Sequence, residues 1–152
     1  MDIDNMTTHI TAMTYAPKVE AIKDGDCRQT TRIYNEKNPF KVGDMVLIHG
    51  WEGRPYWSKW SWRRPKERVA QVIDMLAFDN IATFYQNPIT GMNVGTESLK
   101  LVSLPWHDEV MDELARLDGI APATGPEYKS VLEGFHGRFA QFDPARFQII
   151  RW

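Results

Sequence analysis

In the stretch DGDCRQTTR, Asp24 to Arg32, a cysteine, two arginines, a glutamine and two threonines follow closely on Gly25 with hardly an apolar side chain among them. Read as the opening of a strand, the stretch sends Arg28, Thr30 and Arg32 to one face and Gln29, Thr31 and Ile33 to the other. If the first face lines a crevice, two guanidiniums flank a hydroxyl, an arrangement that holds a phosphate or carboxylate bidentately. The competing reading makes them exposed strand residues in ordinary cross-strand pairs.

A second constellation is WEGRPYWSKWSWRRPKER, Trp51 to Arg68. It sets six cations, Arg54, Lys59, Arg63, Arg64, Lys66 and Arg68, against Glu52 and Glu67, and interleaves them with Trp51, Tyr56, Trp57, Trp60 and Trp62. Cations for phosphates and flat rings for unstacked bases are the composition of a single-stranded nucleic-acid platform, with Trp57, Trp62, Arg63 and Arg64 as its contacts. Against this, tryptophans that cover a core are often lidded by arginines, and Trp51 and Trp60 are the expected structural pair. A Trp-rich loop is also the kind of patch through which a protein-interaction module meets its partner.

Many reactions are excluded by what the chain lacks. It has no GxSxG elbow, P-loop, GxGxxG or HExxH, and His9, His49, His107 and His136 have no metal-ligand spacing with one another or with Cys27. The expectation is therefore no metal and no cofactor, with each histidine a partly exposed polar residue. A net charge of −2 provides no whole-molecule attraction to polyanions, so such a site must be a local patch. One cysteine precludes an internal disulfide, and the start MDIDNMTTH has no apolar leader, which fits a reducing, cytoplasmic setting. No apolar run is long enough for a membrane span. Oligomeric state is not legible.

The elements that must position these residues can be read from periodicity. THITAMTYA alternates as a half-buried strand. PKVEAIKDG has the proline-first, glycine-last order of a short helix. RQTTRIY and MVLIHGW read as strands, as do RVAQVIDMLAF and IATFYQ on either side of an Asp79-Asn80 turn, and SLKLVSL after the turn NPITGMN. PWHDEVMDELARLDG and GPEYKSVLEGFHG are amphipathic helices. The first carries Trp106, Val110, Leu114 and Leu117 on one stripe; the second carries Tyr128, Val131, Leu132 and Phe135. RFQIIRW closes the chain as a strand. This predicts a single α+β domain over residues 1–152, its core from about residue 8 and a flexible stretch over 1–7. Its predicted architecture is a small, mostly antiparallel barrel with about three flanking helices.

The order of these parts resembles that of ASCH domains, small barrels of the PUA-like superfamily. The resemblance is carried by a glycine-ended helix followed by GDCRQTTR (Gly25 to Arg32), by the turn VGDMVLI (Val42 to Ile48), and by LDGI ahead of EYKSVLEGFHGRF and the last strand. It implies an RNA- or nucleotide-binding module whose crevice lies beside the signature, with Arg28 and Arg32 as contacts, Thr30 facing the ligand and Gln29 bracing the wall. Some small ASCH proteins are amidohydrolases that deacylate acetylated cytidine with a lysine, a threonine and an acid. By that resemblance the threonine falls on Thr30 and the acid on Asp118, while the lysine position holds Cys27, whose neutral thiol substitutes poorly. Other members are linked to RNA cleavage, for which Asp118, His49 and Arg32 are the available groups.

Overall fold

The computed structural model describes residues 6–51, 54, 57–92 and 102–152; Glu52, Tyr56 and the start of SLKLVSL lie outside them, as do residues 1–5 of the expected flexible stretch. The fold is α+β, with nine strands, mostly antiparallel, and three α-helices among the described residues. Among the described residues the strands form two sheets, and no ladder joins one sheet to the other. In the first sheet, β1 (Thr8–Ala12) runs parallel to β3 (Met45–Trp51), which also pairs with β4 (Trp60–Arg63) and the two-residue β5 (Glu67–Arg68). The second sheet has the order β2 (Gln29–Ile33), β9 (Ala145–Arg151), β6 (Gln71–Ala77), β7 (Ile81–Phe84) and β8 (Val102–Pro105), antiparallel throughout. No described helix is long and apolar enough to cross a membrane.

Local chemistry accounts for the helix ends. A 3₁₀ turn at Ala16–Lys18, entered through Pro17, leads into α1 (Val19–Asp24), which stops at Gly25 with φ 81°. That left-handed residue lets the Asp26 and Cys27 amides turn back to the Ala21 carbonyl, which aims the chain into β2. α2 (Glu109–Leu117) is capped by the Asp108 carboxylate, which accepts from the Val110 amide. α3 (Gly125–His136) is capped by Thr124 Oγ1, and a Cβ at its Gly125 would run into the Trp106 carbonyl and sit 2.8 Å from Met111 Cβ on α2. α2 and α3 therefore approach each other through a glycine.

The larger core lies between the second sheet and α2 with α3. Ile73, Met75, Phe84, Met111, Leu114, Tyr128 and Ile149 are fully buried there. A smaller core gathers Ile22, Cys27, Val46, Ile48, Val69 and Ile150 beneath α1. The buried stripe of α2 is Met111, Leu114 and Ala115, with Val110 and Leu117 only half-buried. On α3, Tyr128 and Leu132 are buried while Phe135 is 66% exposed.

β1 inverts its expected phase: His9 and Thr11 face inward and Ile10 is exposed. The cause is a polar pair, His9 Nε2 to Asp44 Oδ2 at 2.8 Å, with the imidazole stacked on Phe40 at 4.1 Å. A hydrogen-bonded histidine satisfies its burial as well as an isoleucine would. His49 is also buried rather than partly exposed, stacked on Trp60 at 3.9 Å.

Candidate functional site

A cavity of about 350 Å³ opens between β2, the 3₁₀ turn and the C-terminal half of α3. Its polar end is built by Lys18, Thr30, Thr31, Arg32 and Asp118, and its other walls by Met13, Ile33, Ile120, Val131, Leu132, Phe135 and Phe147. That volume lies within the range of sites that enclose one small molecule, about 300–1,000 Å³.

Three chemically competent side chains meet at the polar end. Lys18 Nζ donates to Thr30 Oγ1 at 3.4 Å and to the Gln29 carbonyl at 3.4 Å, and lies 3.6 Å from Asp118 Oδ2. Lys18, Thr30 and Asp118 are each no more than 5% exposed. Each comes from a different element. The 3₁₀ turn swings Lys18 inward, the second residue of β2 presents Thr30, and Asp118 is the residue on which α2 ends. Gly119 makes the approach feasible, since a Cβ there would stand 2.7 Å from Lys18 Cβ. The Asp-Gly pair after α2 thus supplies both a carboxylate and the space for its lysine.

The carboxylate is held from behind. Asp118 Oδ1 accepts from Gln29 Nε2 at 3.1 Å and from Thr31 Oγ1 at 2.9 Å, leaving Oδ2 toward Lys18 and the cavity. Thr31 Oγ1 and Tyr128 OH are 2.5 Å apart, and Gln29 Oε1 accepts from Arg151 Nε at 2.6 Å. Burial, reinforced by the Asp118 charge, pushes the Tyr128 phenol well above its ordinary range, so it stays protonated beside Thr31. Burial lowers the Arg151 pKa from its ordinary value, with the Tyr128 and Asp118 charges opposing the shift. Cys27 sits beneath this cluster. Burial raises its thiol pKa, although the nearby Lys18 charge opposes the shift, and its Sγ donates to the Leu117 carbonyl at 3.4 Å.

The residues picked out by sequence separate into three groups. Thr30, Arg32 and Asp118 share the cavity. Arg28, expected beside them, precedes β2, is exposed, and turns away: its Nε donates to the Trp152 backbone oxygen at 2.8 Å and its Nη2 lies 3.6 Å from Glu67. The strand alternation that grouped it with Thr30 begins one residue too late to include it. Trp57, Trp62, Arg63 and Arg64 do not line the cavity. Trp57 is 79% exposed, with Arg54 over its ring at 5.4 Å. Trp62 packs on Gly50, where a Cβ would run into its indole Nε1, and Arg64 donates to the Lys23 carbonyl and pairs with Glu67. Part of the Trp-rich segment expected as a loop is strand β4, with Arg63 opposite His49.

Lys18 was invisible as a site residue in the sequence, where it reads as an ordinary helix-start lysine. Among the described residues no cluster of three histidine, cysteine or carboxylate groups is placed to hold a metal ion. No protein-family model, curated protein or solved structure matches the chain.

Proposed function

We propose that this chain is an ASCH-like protein of the PUA-like superfamily that binds a modified nucleoside in the cavity beside β2 and hydrolyses its exocyclic amide, acetylated cytidine being the type substrate. The observation that carries the reading is the position of Lys18 Nζ, 3.4 Å from Thr30 Oγ1 and 3.6 Å from Asp118 Oδ2, inside a cavity of single-molecule size. The signature position of the lysine holds Cys27, yet an ammonium group reaches the same threonine from the preceding 3₁₀ turn.

The roles follow from what each group can do. Thr30 supplies the hydroxyl that adds to the acyl carbon. Lys18, the ammonium beside Asp118, polarises the acyl oxygen, gives a proton to the departing nitrogen and takes the Thr30 proton in its place. Asp118 holds Lys18 in place, and Gln29 with Thr31 fixes which carboxylate oxygen does so. The carbon–nitrogen bond breaks, the amine leaves with a proton, and water releases the acid and restores the hydroxyl.

The test is product formation from acetylated cytidine by chromatography. Wild type should release cytidine and acetate, and Thr30→Ala and Lys18→Ala should each lose about 10²-fold or more in kcat/KM. Absence of turnover in wild type, or full activity in Thr30→Ala, would overturn the proposal.

A second reading is favoured by the exposure of Trp57, 79%, among the exposed cations Arg54, Lys59, Arg63 and Lys66: single-stranded RNA lies on this surface rather than in the cavity. Quenching of tryptophan fluorescence by a short RNA, weakened by salt and lost in Trp57→Ala, would establish that reading instead.

A further inference from the structure

The end residues of three strands meet in one row. Gln29 opens β2, Gln71 opens β6, and both stand in register with Arg151 at the end of β9, so their side chains share a face of the second sheet. α2 stops at Leu117, and beside its last turn a second cavity, of about 610 Å³, opens at this row. It shares no lining residue with the cavity beside β2. Arg151 is half-buried, and its guanidinium is held by neutral acceptors alone: Gln29 Oε1 at 2.6 Å, Gln71 Oε1 at 3.2 Å, and the Pro88 and Ile89 carbonyls. Both amides are committed to it, because the Gln29 nitrogen donates to Asp118 and the Gln71 nitrogen to the Thr90 carbonyl. Among the described residues no carboxylate pairs with it directly, and the Asp118 charge that acts on it is already matched by Lys18. These contacts take all of its N–H groups but one, on Nη2. A partly buried cation ringed only by dipoles lacks a countercharge.

Two further cations line the same cavity from different elements. Arg28, ahead of β2, lies 3.6 Å from Glu67, and Arg116, in the last turn of α2, is held by Glu113 at 2.9 Å and 2.5 Å. Their side chains are 48% and 62% exposed, so both pairs are screened by solvent and weak enough for an incoming anion to share the cation. The only carboxylate among the described lining residues is that of Asp26, which is exposed. Three guanidiniums against one carboxylate leave the lining at +2, on a chain whose net charge is −2. We propose that this second cavity binds a small polyanion, a molecule with two or more phosphate or carboxylate groups. Arg151 supplies the buried contact, and Arg28 and Arg116 supply the exposed ones. Guanidiniums recognise both kinds of oxoanion through paired N–H groups, and three of them around a cavity of single-molecule size suit several anionic groups better than one. The site stands apart from the hydrolase reading, and it gives Arg28, which turns away from Thr30, a ligand of its own.

Calorimetric titration of the full chain with pyrophosphate and with citrate, at ionic strength matched by sodium chloride, tests the site. At least one of the two should bind saturably at one-to-one stoichiometry. Arg28→Ala and Arg116→Ala should each weaken its Kd about 2- to 5-fold, the range for an exposed charge pair. Arg151→Gln should weaken it about tenfold or more, as for a buried hydrogen bond to a charge, and the two exposed variants decide the matter if that protein does not fold. Arg138→Ala removes an equal charge from an exposed position outside the cavity and should leave the Kd unchanged, as should Thr30→Ala in the other cavity. Tighter binding of pyrophosphate marks a phosphorylated ligand, and tighter binding of citrate marks a polycarboxylate. No saturable binding of either anion, a Kd that ignores both Arg28→Ala and Arg116→Ala, or an equal loss in Arg138→Ala would overturn the proposal. Binding of a short single-stranded RNA that depends on Arg28 and Arg116 and that neither anion displaces would also overturn it, assigning these cations to a nucleic-acid strand.

Discussion

Replacing Lys18 by methionine tests the cluster without reference to any substrate. The side chains of Lys18 and Asp118 are 6% and 5% exposed and their charged atoms are 3.6 Å apart. Methionine fills the volume of the lysine stem and removes only the ammonium, so the Asp118 carboxylate stays in place without its cation. Removing one partner of a buried pair costs about 3–5 kcal/mol, mostly because the remaining charge is stranded. Two features place this pair at the lower end. Its separation exceeds the 2.7–2.9 Å of a strong charge-assisted bond, and Oδ1 still accepts from Gln29 and Thr31. The expected loss is about 3 kcal/mol, a large part of the stability of a domain this size. Asp118→Asn in the same molecule removes the stranded charge and leaves a carbonyl oxygen for those two donors. The double variant should therefore recover to within about 1 kcal/mol of wild type, about 2 kcal/mol better than Lys18→Met alone and well short of the sum of the two single losses. Urea denaturation of wild type, both single variants and the double variant at pH 7 measures this directly. A loss below about 1 kcal/mol in Lys18→Met, or single effects that simply add in the double variant, would refute the buried pair. A stable double variant that is also inactive then separates the catalytic from the structural contribution.

Cys27 should alkylate with iodoacetamide at neutral pH at least about tenfold more slowly in the folded protein than in urea, because burial raises its thiol pKa and limits access. Lys18→Met, which removes the charge that opposes that rise, should slow it further; equal rates folded and unfolded would contradict the placement. Burial lowers the His49 pKa below 6.5, with the Gly50 backbone opposing and the Arg32 charge reinforcing the shift. The unfolded chain thus binds a proton that native His49 refuses, and stability should fall as pH drops below about 6.5. His49→Phe, which keeps a ring against Trp60, should show a smaller drop in urea midpoint between pH 7.5 and 5.5. An identical drop in the two proteins would show that His49 titrates normally.

The elements were legible where burial and periodicity agree. The helix between Pro17 and Gly25, the strand at Met45–Trp51, and the two amphipathic helices need only local information: a fixed φ at proline, a left-handed residue at glycine, and an apolar stripe. β1 shows where this fails. Its pattern of alternation is real, but which set faces inward depends on Asp44, more than thirty residues away, which makes a histidine the better buried residue. β4 was missed for a related reason. Its tryptophans and arginines look like a surface loop until Gly50 on the facing strand provides the gap into which Trp62 settles.

Why the cluster was only half legible follows from the same distinction between local and distant causes. Thr30 and Asp118 lie in short stretches whose residue types advertise them, and the strand and helix end that carry them are predictable. The lysine is not tied to either by spacing, because a side chain with four rotatable carbons can reach one point in space from several places on the backbone. Cys27 packs into the small core, its Sγ donating to the Leu117 carbonyl. The ammonium enters instead from the 3₁₀ turn, over a glycine that leaves space for its stem. What the cluster depends on is the position of the ammonium, 3.4 Å from Thr30 Oγ1 and 3.6 Å from Asp118 Oδ2, rather than its spacing in the sequence. That makes Gly119 part of the arrangement: a side chain there would crowd Lys18 Cβ at 2.7 Å, on a residue whose φ of 75° already disfavours one.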